Sequence, residues 1–122
     1  MFKAVSMGFG VAKPWGDSER YDIILNAGRV LWRVQIKSSF SPRRLQIGVY
    51  GTNGVPYTAD EIDFLVAYIC PRDLWYVVPI GAVRHNSIHL SPDSRRSRYE
   101  QYREAWKLFG EPSRVIPPAV IV

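Results

Sequence analysis

Apart from Leu31 and Ser38, residues 29–38 alternate polar and apolar side chains, the pattern that an extended strand satisfies. Successive strand side chains point to opposite sides, so Val30, Trp32, Val34 and Ile36 share one face and Arg33, Gln35 and Lys37 share the other. A helix would scatter the four apolar residues around its circumference. The apolar set is a core face. The opposite set lines up a cation, an amide and a cation, which are costly to bury without partners. The preceding residues 20–25 read as a second strand and Asn26-Ala27-Gly28 as a turn, so the two segments form an antiparallel hairpin. Asp22 lies inside the first strand, between Tyr21 and Ile23. The hairpin brings it beside Gln35 and Lys37, gathering an acid, an amide oxygen and an amine around one point.

The rest of the chain is punctuated by glycine and proline. Residues 1–7 read as the last turns of a helix ended by Gly8 and Gly10, and 11–13 as a short strand stopped by Pro14. A strand is expected at 45–50, and Thr58 with Glu61 forms a capping box for a short helix. Residues 64–70 are open between a strand and part of a helix running over 59–69. Residues 74–78 predict a buried strand ended by Pro79, and 85–90 a short edge strand. Residues 94–109 predict a helix stopped by Gly110. This order gives an α/β (α+β) fold: a mixed central sheet flanked by helices, in one domain over 1–110. A proline-rich extended tail is expected at 111–122.

Composition narrows the function. With 122 residues, 47% hydrophobic and 22% charged, the chain is an ordinary globular domain, neither disordered nor coiled coil. Its apolar runs are too short to span a bilayer, so no membrane role is expected. The single cysteine, Cys70, excludes a disulfide framework and a cysteine zinc cage, and a reducing cytoplasm is the expected location. His85 and His89 are four apart, but Asn86, Ser87 and Ile88 favour a loop or strand on which they do not converge on zinc. A net charge of +5 points to an anionic partner, nucleic acid first. No acid occurs between Ile23 and Ala59, whereas Arg29, Arg33, Lys37, Arg43 and Arg44 do. A second basic cluster, Arg95, Arg96, Arg98, Arg103 and Lys107, reads as a solvated helix face or as a phosphate contact.

The group around Asp22 suits phosphodiester hydrolysis. A hard cation such as Mg²⁺, with Mn²⁺ as an alternative, takes oxygen ligands. Asp22 would supply the charged ligand, Gln35 a side-chain oxygen and Ile36 a backbone carbonyl. Lys37 would orient the attacking water or neutralise developing charge. Arg33, Arg43 and Arg44 would hold the DNA backbone, with Ser38 and Ser39 as further phosphate donors. The plain alternative is a surface salt bridge from Asp22 to Lys37 or Arg33. Asp63 is either a brace for Lys37 or a local cap or ion pair. Trp32 and Trp75 read as core, and Trp15, on a turn, as a candidate for DNA or partner contact.

Four pieces occur in order: Tyr21-Asp22-Ile23, Val34-Gln35-Ile36-Lys37-Ser38, Ile62-Asp63-Phe64 and Trp75-Tyr76-Val77-Val78-Pro79-Ile80. This order resembles the PD-(D/E)XK nuclease superfamily, in particular its group I intron-associated endonuclease branch, where the last motif is Gln-X-Lys. The resemblance implies a restriction-endonuclease-like core over about residues 2–81. It implies Asp22 as the metal-bridging acid, Gln35 as second ligand and Lys37 as catalytic lysine. Many members carry a glutamate on the first helix, but residues 1–7 contain no acid. Asp17 and Glu19 lie near Asp22 on a turn, as speculative substitutes. A truncated first helix leaves a sheet face under-covered, which favours a homodimer or marginal stability. The expected activity is metal-dependent DNA cleavage. The alternative is a catalytically degenerate nucleic-acid-binding domain on the same fold.

Overall fold

The computed structural model describes residues 2–15, 19–41, 45–51, 53–92 and 94–110. The hairpin forms, with β2 at Ile23–Asn26 and β3 at Leu31–Ser39, but the first strand begins only at Ile23, so Asp22 lies just before it rather than inside it, and Val30, expected on the core face, is 41% exposed. Its turn is closed by Ala27 N–H donating to Val30 O at 2.9 Å and Gly28 N–H to Asn26 Oδ1 at 2.8 Å. Gly28 has φ +88°, a left-handed conformation that glycine adopts without a Cβ penalty. A short α1 (Lys3–Ser6) and β1 (Gly10–Ala12) precede it. After β3 come β4 (Gln46–Gly48), β5 (Phe64–Ile69), β6 (Leu74–Pro79) and β7 (Ser87–His89).

The main sheet is five-stranded and mixed, in the order β1-β2-β3-β5-β6. Only β3 and β5 are parallel, with Val34 beside Phe64 and Gln35 beside Leu65. A parallel pair needs a crossover, which the chain makes through residues 40–63. The crossover carries β4, which pairs with β7 in a second, two-stranded sheet.

Both faces of the main sheet are buried. On one, Val34, Phe64, Val66, Trp75 and Val77 pack with Ala4, Phe9, Trp106 and Phe109. On the other, Leu65, Ala67, Ile69, Tyr76 and Val78 pack with Ile47, Val49, Ile88 and Tyr99 around the small sheet. Burial on both sides explains the unbroken apolar run of β5. It settles residues 64–69 as strand. Thr58 and Glu61 keep half of their capping box, with Thr58 N–H donating to Glu61 Oε1 at 3.1 Å, but they close a turn rather than start a helix.

The helix expected over 94–109 does not form. Two 3₁₀ turns, Glu100–Tyr102 and Trp106–Phe109, take its place. Arg103 is extended and bridges Tyr76, and Glu104 is left-handed at φ +50°. Hydrogen bonds to the free edge of β6 outweigh helix propensity here. Glu104 N–H donates to Trp75 O at 2.8 Å, and its carboxylate accepts from Trp75 N–H at 3.0 Å and Trp106 Nε1–H at 2.9 Å and pairs with Lys3. Trp32 Nε1–H donates to Phe109 O at 2.8 Å. This aromatic segment covers the face that a four-residue α1 leaves open, so the under-covering expected there is met within the chain. Flanking cover therefore comes from α1, the 3₁₀ turns and the small sheet. The tail expected at 111–122 lies outside the described residues.

Burial opposes the charge on Glu104, but hydrogen bonds from Lys3, Trp106 and Trp75 outweigh it and hold the carboxyl below the usual glutamate range. A depressed carboxyl contributes stability present above its unfolded value and lost as pH falls through its folded value. Glu104→Gln should therefore unfold more easily at neutral pH, by about 1–3 kcal/mol, and lose less further stability than the wild type on acidification. Urea titrations across the acid range measure both.

Candidate active site at the end of β2

Strand β3 runs on past the end of β2. The last ladder pair is Ile23 with Val34, and Asp22 N–H still donates to Val34 O at 2.8 Å. Beyond that point the β2 side of β3 has no strand partner among the described residues. Asp22 Oδ2 fills the gap by accepting Ile36 N–H at 2.8 Å. The Ile36 carbonyl opens on the same side, because a strand residue presents both backbone groups in one direction. Asp22 is exposed, so one carboxylate oxygen is pinned while the group stays open to solvent.

The ladder ends at Ile23 with Val34, and Gln35 is the next residue along β3. Gln35 is the buried polar side chain among the described residues, 7% exposed. Its amide makes one long contact, Nε2 to Ile36 O at 3.4 Å, which leaves Oε1 with unused acceptor capacity. Lys37 follows on the same face. Its Nζ lies 5.5 Å from the centre of the Tyr57 ring. Asp22 forms no ion pair with Lys37 or Arg33 among the described residues.

Arg33 is placed differently from expectation, and Asp63 takes its ion-pair alternative. Asp63 accepts Arg33 N–H at 2.8 Å and Nε–H at 3.1 Å on Oδ2, and Nη2–H at 2.9 Å on Oδ1. Arg33 also donates to the carbonyls of Asp60 at 2.5 Å and Ala59 at 2.9 Å. Its guanidinium is thus committed to the crossover rather than offered to a phosphate, and Asp63 holds Arg33 rather than Lys37. Burial opposes the charge on Asp63, and the Arg33 hydrogen bonds hold its carboxyl below the usual range.

Two clefts meet at Ile36. One, of about 600 Å³, is lined by Lys13, Pro14, Glu19, Tyr21, Asp22 and Ile23. The other, of about 520 Å³, is lined by Phe2, Lys3, Ser6, Ser38, Tyr68, Asp73 and Trp75. Ser38 thus lines a cleft next to Asp22's, and Ser39 ends β3. Arg43, Arg44 and Asp17 lie outside the described residues. Lys13 and Tyr57 were not legible as site residues, because β1 and the crossover bring them in from elsewhere in the chain. Arg20 could have been read, since it shares the strand parity of Asp22. Trp15 is 99% exposed.

The donors at the gap fit a hard cation. A carboxylate, an amide oxygen with spare lone pairs and a free-edge carbonyl are the oxygen set that Mg²⁺ takes, completed by water and phosphate. No group of three His, Cys, Asp or Glu converges among the described residues, and His85 and His89 are both exposed. The arrangement suits hard-cation phosphate chemistry rather than a zinc site.

The profile of the PD-(D/E)XK endonuclease family matches residues 1–109. Among solved structures, a bacterial homing endonuclease, I-Ssp6803I, is similar at 33% identity and a TM-score of 0.75, over 88% of this chain and 82% of that one. The Holliday junction resolvase Hjc of the archaeal hyperthermophile Archaeoglobus fulgidus shares the fold at 16% identity and a TM-score of 0.56, over 87% of this chain and 93% of that one. No curated protein sequence matches the chain.

The Arg33–Asp63 geometry makes Arg33 a structural cation. Arg33→Ala should lower the unfolding free energy by about 2–3 kcal/mol, since it strands a partly buried carboxylate. At temperatures where the variant stays folded, its DNA affinity should match the wild type. Thermal melts and fluorescence-anisotropy titrations check the two halves.

Proposed function

The chain belongs to the PD-(D/E)XK endonuclease family, and from that premise we propose that it is a divalent-metal-dependent DNA endonuclease acting at Asp22, Gln35 and Lys37. The observation that carries the proposal is the 2.8 Å bond from Ile36 N–H to Asp22 Oδ2. It holds a carboxylate at the free edge of β3, against Ile36, and the residue before Ile36, Gln35, carries an amide oxygen with unused acceptor capacity.

Asp22, Gln35 Oε1 and the Ile36 carbonyl would hold the cation, Mg²⁺ or Mn²⁺. When bound, it would polarise the phosphate and make water a better nucleophile. The chain's own residues do the positioning. Ile36 N–H keeps Asp22 from rotating away, and burial keeps the Gln35 amide in place. Lys37 donates N–H groups toward the attacking water or a phosphate oxygen, countering negative charge as it develops. Ser38, Ser39, Arg43 and Arg44 follow Lys37 in sequence and are assigned the flanking backbone phosphates. Cutting both strands takes two such sites, which a homodimer would supply.

The second reading, a DNA-binding domain without activity, is favoured by one feature: α1 carries no acid. Glu19, in the cleft with Asp22, favours the catalytic reading.

Incubating supercoiled plasmid and branched DNA with the protein should give cleavage that needs Mg²⁺ or Mn²⁺ and stops with EDTA. Asp22→Asn and Lys37→Ala should each slow it by about 10²–10³-fold, with circular dichroism and melting close to wild type. Cleavage retained in Asp22→Asn would overturn the site. A folded wild type that binds DNA but never cuts it would favour the second reading.

A further inference from the structure

Lys37 reaches the site on a flexible stem. Nothing acidic among the described residues holds its ammonium. What faces it is Tyr57, with the ring centre 5.5 Å from Nζ. Tyr57 belongs to the crossover between β4 and β5, twenty residues along the chain from Lys37, and its position is clamped from several sides. Its N–H donates to Val49 O at 3.2 Å. Arg20 donates to the carbonyls of Val55 at 2.6 Å and Pro56 at 3.2 Å, pairs with Glu61 at 3.3 Å, and lies 4.5 Å from the centre of the Tyr57 ring. Arg20 lies two residues before Asp22. The same clamp therefore ties the ring beside Lys37 to the strand that presents the carboxylate.

We infer that Tyr57 is a positioning residue that holds the Lys37 ammonium in register with Asp22 and Gln35. An aromatic face attracts a cation within about 6 Å of its centre and so restricts a side chain of high rotamer entropy. It does this without taking up the ammonium's N–H groups. A carboxylate in the same place would occupy those donors and cancel the charge that the phosphate needs. Glu61 neutralises Arg20, so two cations approach one ring without full mutual repulsion. The inference rests on Lys37 acting at the scissile phosphate, and its test keeps the two claims apart.

Single-turnover cleavage at saturating DNA is compared for wild type, Tyr57→Leu, Tyr57→Phe and Lys37→Ala. Tyr57→Leu should cut about threefold to tenfold more slowly with unchanged DNA affinity, and Tyr57→Phe, which keeps the ring, should restore the rate. In NMR spectra, the Lys37 Hε protons should be displaced upfield by the ring in wild type and Tyr57→Phe, and should return toward random-coil positions in Tyr57→Leu. If Lys37→Ala is dead while Tyr57→Leu cuts at the wild-type rate, the positioning role is overturned and the catalytic reading stands. If Lys37→Ala cuts normally, the catalytic reading fails and the inference falls with it. Should Tyr57→Leu not fold, the NMR comparison of wild type with Tyr57→Phe decides, and unshifted Hε protons in the wild type overturn the proposal.

Discussion

Strand β3 outruns its neighbour β2, and the backbone groups left unpaired on that side must find partners. The rest of the candidate site depends on this constraint. Had β2 continued by two residues, the Ile36 N–H and C=O would be spent in the ladder and Asp22 would point into a continuous sheet. Because β2 stops at Ile23, a side chain closes the gap, and the Asp22 carboxylate that closes it is held where a cation and a phosphate can approach. The parallel pairing of β3 with β5 supports the other side of β3, with partners from Val34–Phe64 to Ser39–Ile69 past the end of β2.

The same accounting governs the C-terminal edge. Strand β6 ends the sheet, and an open edge is a liability for a small domain. Glu104 answers it with both backbone and side chain, bonding Trp75 at both of its polar groups while reaching Lys3 on α1. A short first helix is thereby secured by a residue a hundred positions away. Trp106 and Phe109 are drawn over the face beside it, where Phe9, Phe64 and Trp75 receive them in edge and tilted contacts.

Much of this was legible and some was not, for physical reasons that differ by residue. The hairpin was readable because its information is local: a period of two and a turn around Ala27 and Gly28. Strand β5 was ambiguous because burial on both faces erases alternation. Arg33 and Lys37 share one strand face, and the alternation treats them as equivalent cations. Only the crossover distinguishes them, by bringing Asp63 to one and Tyr57 to the other. The helix expected over 94–109 failed for a similar reason. Its pattern is helical, but the free edge of β6 offers hydrogen bonds that no local rule contains.

The sequence by itself determined the period of β3, the turn that joins β2 to β3, and the family to which the chain belongs, because these depend on neighbours in the chain. It put Asp22, Gln35 and Lys37 within one hairpin's reach. Tertiary structure alone decided where β2 ends relative to β3, which cation is tied down and which faces an aromatic ring, and what covers the face beside α1. Those outcomes depend on how backbone and charged groups from distant segments satisfy one another once they share a small volume, and sequence separation carries no record of that competition.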